Sequence, residues 1–178
     1  MKQTQSEFNA VRKNINERIK LIHENRVGLS LILDRMGNPA NAGMILRIAD
    51  AARIREVIFF QPAFDIYSEK LKKYSRSTTK YVKFSEINSA AKIKEKVNNA
   101  GFVALEKTNK SINYQEFIPG KEIFLAVGSE KFGLSEDLLT LTQSSLHLPT
   151  MGVNTSINVA TAVSPVVFYL VNKMQTIL

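Results

Sequence analysis

The chain has 178 residues, 44% hydrophobic and 22% charged, the balance of one globular domain able to bury a core of its own. It has no cysteine, which excludes a disulfide scaffold, a thiolate nucleophile and a cysteine zinc site, and its two histidines, His23 and His147, are too far apart to suggest a metal site. Lysine and arginine number 24 against 16 acids, a net charge of +8 that favours an anionic partner, nucleic acid above all.

The opening stretch lacks the apolar core of a secretory signal. The most apolar segment, Val159 to Val171, is too short for a membrane span and is interrupted by Thr161, Ser164 and Pro165, so the expected location is the cytoplasm.

In chain order, Phe8, Val11, Ile15, Ile19 and Ile22 recur at helical spacing and predict an amphipathic helix over 4–25, read as an arm comprising residues 1–26. Leu29 to Leu33 is a buried strand ending at Asp34, and Asn41 is the expected cap of a helix over 42–53. Strands are expected at 57–60, 102–105, 123–127 and 146–148, with helices at 89–100, 136–141 and 157–173. Pro165 should kink the last helix or begin a new one. Short strands alternating with helices predict an α/β fold over 27–178, a mainly parallel sheet flanked by helices.

Three segments carry chemistry. In the first, Asn38 to Arg47, polar entry residues and a guanidinium two helical turns later could border one cleft, although a capped helix with a surface arginine accounts for it as well. In the second, Leu125 to Ser135, a buried strand runs into a turn holding Gly128 and Gly133 with Glu130 between them, and Ser135 would cap the following helix. In the third, Leu148 to Ala160, Ser156 reads as a helix cap, while Asn158 at the mouth of an apolar helix has no such ordinary explanation. The glycine fingerprints of dinucleotide sites and P-loops are missing, as is a Gly-x-Ser-x-Gly elbow.

Taken together, these segments resemble the three ordered motifs of the SpoU–TrmH class of the SPOUT superfamily: Asn-x-Gly-x-x-x-Arg, Gly-x-Glu-x-x-Gly-Leu-Ser, and Pro-x-x-Gly followed by Ser-x-Asn-Val. The resemblance spans about residues 29 to 172. It implies a deep C-terminal trefoil knot, a homodimer with a composite active site, and methylation of an RNA ribose 2′-hydroxyl with S-adenosylmethionine as donor.

By similarity, Leu105, Gly128, Leu148 and Ile157, with Ser156 nearby, would hold the donor. Arg47, Glu130, Ser156 and Asn158 match catalytic positions, and Asn41 matches a supporting one. The family assigns acceptance of the hydroxyl proton to the Arg47 position; since an arginine stays protonated, holding a phosphate and stabilising the developing alkoxide is an equal expectation. Glu130 and Asn158 would orient Arg47 and the donor loop.

Lys70 to Lys83 includes Lys72, Lys73, Arg76 and Lys80, contains no acid, and is interleaved with Tyr74 and Tyr81, which suits phosphate contact and base stacking. Arg12 and Lys13 would extend that footprint. The second motif looks most like that of the enzymes that methylate a tRNA D-loop guanosine, and only a short helix stands where larger rRNA enzymes often carry an RNA-binding domain. Both tilt the expectation toward tRNA, with rRNA or the tRNA wobble position as alternatives. From another class, the rival is a knotted RNA-binding protein without turnover. Two departures stand out: Ala51-Ala52-Arg53-Ile54 where relatives place a glycine, and Thr150 in place of a methionine.

Overall fold

A computed structural model of the chain describes residues 14, 17, 19–21, 24–153 and 156–176. Most of the expected N-terminal helix, Arg12 and Lys13 included, lies outside the described residues; those described between 14 and 24 are helical. Among the described residues, seven strands form one parallel sheet in the order β3-β2-β1-β6-β4-β7-β5. They are β1 (Val27–Asp34), β2 (Ile54–Phe60), β3 (Phe84–Ile87), β4 (Gly101–Leu105), β5 (Ile112–Asn113), β6 (Ile123–Val127) and β7 (Ser144–His147). The helices are α1 (Pro39–Ala51), α2 (Glu69–Ser75), α3 (Ala90–Val97), α4 (Glu136–Leu139) and α5 (Val159–Thr176).

Central strands buried on both faces must be apolar throughout, which is why β1 and β6 read as unbroken hydrophobic runs. Their register sets Val57, Leu31, Leu125 and Val103 side by side across four strands. On one face Leu29, Leu31 and Leu33 pack with Ile45, Leu46 and Ala49 of α1 and with Val163, Val167 and Leu170 of α5. On the other, Ile32, Phe102 and Phe124 pack with Ile93 of α3 and Leu138 of α4. Helices therefore cover both faces, as a parallel sheet requires. The strands' C-terminal ends share one edge, where open α/β sheets place ligands.

Several expected boundaries move. Asn38, not Asn41, caps α1, accepting the N–H of Ala40 at 2.9 Å. Pro39 takes the first helical position, where its fixed φ fits and its missing N–H leaves no bond unmade. Asn158, not Ser156, caps α5, accepting from the N–H groups of Ala160 at 3.0 Å and Thr161 at 3.3 Å. The Ser135 side chain makes no capping bond to α4. α5 runs through Pro165 as one helix. Beyond α1, Arg53 occupies the left-handed region with φ of 54°, a conformation that favours glycine.

The basic stretch contains α2 and a 3-10 turn over Thr78–Lys80, and α2 packs on α1 at Gly43. A Cβ there would come within 2.6 Å of the Tyr74 Cβ and 2.8 Å of the Ser75 nitrogen, so only glycine lets the helices approach this closely. Among the described residues no helix is long and apolar enough to cross a membrane.

Candidate active site

Three side chains from the three motif segments form one hydrogen-bonded chain. Asn158 Nδ2 donates to Asn41 Oδ1 at 3.0 Å, and Asn41 Nδ2 donates in turn to Glu130 Oε1. Asn41 is 6% exposed, in the first turn of α1, while Glu130 and Asn158 are open to solvent. Both functional groups of a buried amide are thereby satisfied, which fixes which way it points.

Beside this chain lies a cleft of about 480 Å³ lined by Leu105, Glu106, Val127, Gly128, Ser129, Glu130, Gly133, Ser156, Ile157, Asn158, Val159 and Ala162. Its walls come from the C-terminal ends of β4 and β6, the 128–135 loop and the entry to α5. The loop folds back on itself: Ser129 and Gly133 exchange backbone hydrogen bonds at 3.1 and 2.9 Å. A Cβ at Gly128 would meet the Gly133 carbonyl carbon at 2.1 Å, so the turn closes only with glycine there.

Leu105, Gly128, Ser156 and Ile157 line this cleft, whereas Leu148, which follows the end of β7, is absent from the lining. Arg47 also departs from expectation. It is exposed and lies in a neighbouring depression with Met44, Ile48 and Ala51 of α1 and Ala160, Thr161, Ser164 and Phe168 of α5. No hydrogen bond or ion pair joins it to Glu130 or Asn158; those two bond to Asn41 instead. Helical geometry explains this, because residues six apart lie about 120° apart around the axis, so Asn41 and Arg47 face different sides of α1.

Two carboxylates escaped the sequence reading. Asp34, fully buried at the end of β1, accepts the backbone N–H of Ser135 through Oδ2 and has the Arg35 Nε 3.4 Å from Oδ1. Glu106, just after β4, accepts the backbone N–H of Leu134 at 3.2 Å. Both anchor the 128–135 loop. Their signal was position: an acid directly after an apolar strand of a parallel sheet stands at the ligand-binding edge. Lys72, Lys73, Arg76 and Lys80 are all exposed along α2 and the turn beyond it, with Lys72 paired to Glu69 at 2.6 Å.

A parallel sheet with a glycine-closed loop and a polar chain at its C-terminal edge defines an α/β enzyme-like fold. The chain belongs to the SpoU rRNA methylase family, whose model matches residues 28–169. It is 27% identical over 153 residues to a Staphylococcus aureus protein assigned to the TrmH family of tRNA/rRNA methyltransferases, covering 84% of this chain and 62% of that one. To the 23S rRNA guanosine 2′-O-methyltransferase of Bacillus subtilis it is 26% identical, over 79% of this chain and 56% of the relative. The chain thus spans less than two thirds of the length of these curated relatives. The SpoU methyltransferase AviRb from Streptomyces viridochromogenes, solved with AdoMet, superposes with a TM-score of 0.78 at 22% identity, covering 88% of this chain and 64% of that structure.

Proposed function

We propose that this protein methylates a ribose 2′-hydroxyl of RNA with S-adenosylmethionine as donor, residues 27–178 forming the methyltransferase domain and 1–26 an arm. The observation that carries this reading is the Glu130–Asn41–Asn158 chain, which joins the three motif segments beside one cleft.

The cleft suits the donor. Its volume is that of a pocket for a nucleoside-sized molecule, and Leu105, Val127, Ile157, Val159 and Ala162 offer apolar faces for an adenine. Ser129, Ser156 and the backbone around Gly128 supply the few polar groups such a ligand needs. When bound, S-adenosylmethionine supplies an electrophilic methyl group. The protein's own part is alignment: Asn41 fixes Glu130 and Asn158 along one side of the cleft, so the reacting groups meet without a search. Arg47 holds the RNA phosphate and offsets charge on the developing alkoxide, a role its permanent charge suits better than that of a base.

Since Arg47 lies outside the donor cleft of its own chain, a second copy completes the site. The depression around Arg47 supports this, because Met44 and Phe168 beside it are 44% and 46% exposed and would be covered in a dimer. A trefoil knot through the C-terminal segment belongs to the same reading. Lys72, Lys73, Arg76 and Lys80 form the RNA-facing side, tied to the motif helix at Gly43. The preferred substrate is tRNA, its D-loop guanosine first, on the likeness of the Gly128 to Ser135 motif. The similarity to an rRNA enzyme supports rRNA as the second reading.

The test is transfer of labelled methyl from S-adenosylmethionine to total tRNA and, separately, total rRNA, followed by nuclease digestion and nucleoside analysis. A 2′-O-methylnucleoside in tRNA is the expected result; one in rRNA alone selects the second reading. Donor binding with no transfer to either pool would leave a non-catalytic RNA-binding protein.

A further inference from the structure

Glu106 stands at the β4 end of the cleft, away from α1, and is not among the residues that carry the family motifs. Its carboxylate is seated from two sides. Oε2 accepts the Leu134 N–H at 3.2 Å, and both oxygens lie against Gly133, where a Cβ would come within 2.9 Å of Oε2 and 3.2 Å of Oε1. Gly133 has φ of 65°, which favours glycine, and a side chain there would displace the Glu106 carboxylate. Among the described residues no hydrogen-bond donor reaches Oε1.

The other acid of the cleft, Glu130, is bound by Asn41 at the α1 side. The cleft therefore has two ends. With the methyl group directed to the end where Asn41 and Asn158 meet, the nucleoside part of the donor extends toward Leu105 and Glu106. There, a carboxylate with one oxygen held and one left to accept matches a ribose diol, whose hydroxyls are donors. Acids at strand ends of α/β folds bind ribose hydroxyls for the same reason. We infer that Glu106 recognises the ribose hydroxyls of the methyl donor and selects ribonucleoside over deoxyribonucleoside ligands. This rests on the proposed use of S-adenosylmethionine.

Calorimetric titration of the full chain and its Glu106→Ala and Glu106→Gln variants tests it, with S-adenosylhomocysteine, 5′-methylthioadenosine and 5′-methylthio-2′-deoxyadenosine as probes. In the unaltered protein the deoxy compound should bind about tenfold more weakly than its riboside, the loss of one charge-assisted hydrogen bond. Glu106→Ala should weaken both ribosides by a similar factor and erase the ribo-to-deoxy difference. Glu106→Gln keeps an acceptor for the Leu134 N–H and so tests the ligand contact with the loop seat retained. Equal weakening of riboside and deoxyriboside would make Glu106 a loop anchor alone and overturn the inference. A loss confined to S-adenosylhomocysteine would mean that the carboxylate pairs with the amino-acid ammonium, which also overturns it. Both failures leave the donor assignment standing, whereas no binding of any probe by the unaltered protein removes that assignment and the inference with it.

Discussion

Asn158 performs two tasks with one amide: Oδ1 caps α5 through Ala160 and Thr161, while Nδ2 donates to Asn41, 117 positions earlier in the chain. The two tasks are separable. Asn158→Ala should remove both, costing about 1 kcal/mol of stability for the cap and at least about tenfold in methyl transfer. Asn158→Asp keeps a capping acceptor but loses the donor, so its thermal midpoint should return close to the parent while transfer stays low. If the Asn158→Asp variant regained activity together with stability, the link to Asn41 would have no catalytic meaning.

Arg47 is exposed and stands apart from the cleft at Gly128 and Ser156, which makes a clean prediction possible. Arg47→Ala should abolish methylation while leaving donor affinity within about tenfold, some 1.4 kcal/mol. Near-normal turnover, measured with saturating RNA, would sink the role assigned to it. In mixtures of Arg47→Ala and Asn41→Ala chains, a composite site predicts partial recovery of activity from two inactive parents.

The buried Asp34 holds the 128–135 loop by accepting the Ser135 N–H. Asp34→Ala orphans that N–H and should destabilise by about 1–3 kcal/mol. Asp34→Asn retains an acceptor oxygen and should cost less. Urea unfolding of the two variants gives the order; a larger loss for Asn than for Ala would mean that the backbone contact is unimportant.

At Arg53 the backbone holds φ of 54° with a side chain that disfavours it. Arg53→Gly should therefore stabilise the fold by about 0.5–1 kcal/mol, seen as a raised denaturant midpoint with unchanged slope. The Arg53 side chain enters no hydrogen bond or ion pair among the described residues that the change would remove.

The parts legible in the sequence were those under strong physical constraint. β1, β6 and β4 announced themselves because burial on both faces demands unbroken apolar runs. β3 and β5 did not: one is short and largely half-buried at the sheet's edge, the other has two residues. Caps were misplaced by two or three residues because Asn38 and Asn41, like Ser156 and Asn158, are all acceptable capping types, and only tertiary contacts decide between them. Asn41, Glu130 and Asn158, one from each motif segment, meet in the structure, whereas Arg47 and Leu148 lie apart from the cleft. Their wiring was not readable, since nothing local says that Glu130 meets Asn41 and not Arg47.

That wiring also sets a schedule. Glu130 and Asn158 lie 89 and 117 positions after Asn41, so the first member of the chain waits for the others during synthesis. At about 5–20 residues per second the last partner arrives roughly 6–23 s after the first. Until α5 docks against α1 and β1, the Asn41 amide lacks its Asn158 partner and the cleft lacks a wall. The cleft is therefore complete only after the last helix has left the ribosome, so the arrangement on which the proposed activity depends forms late in synthesis.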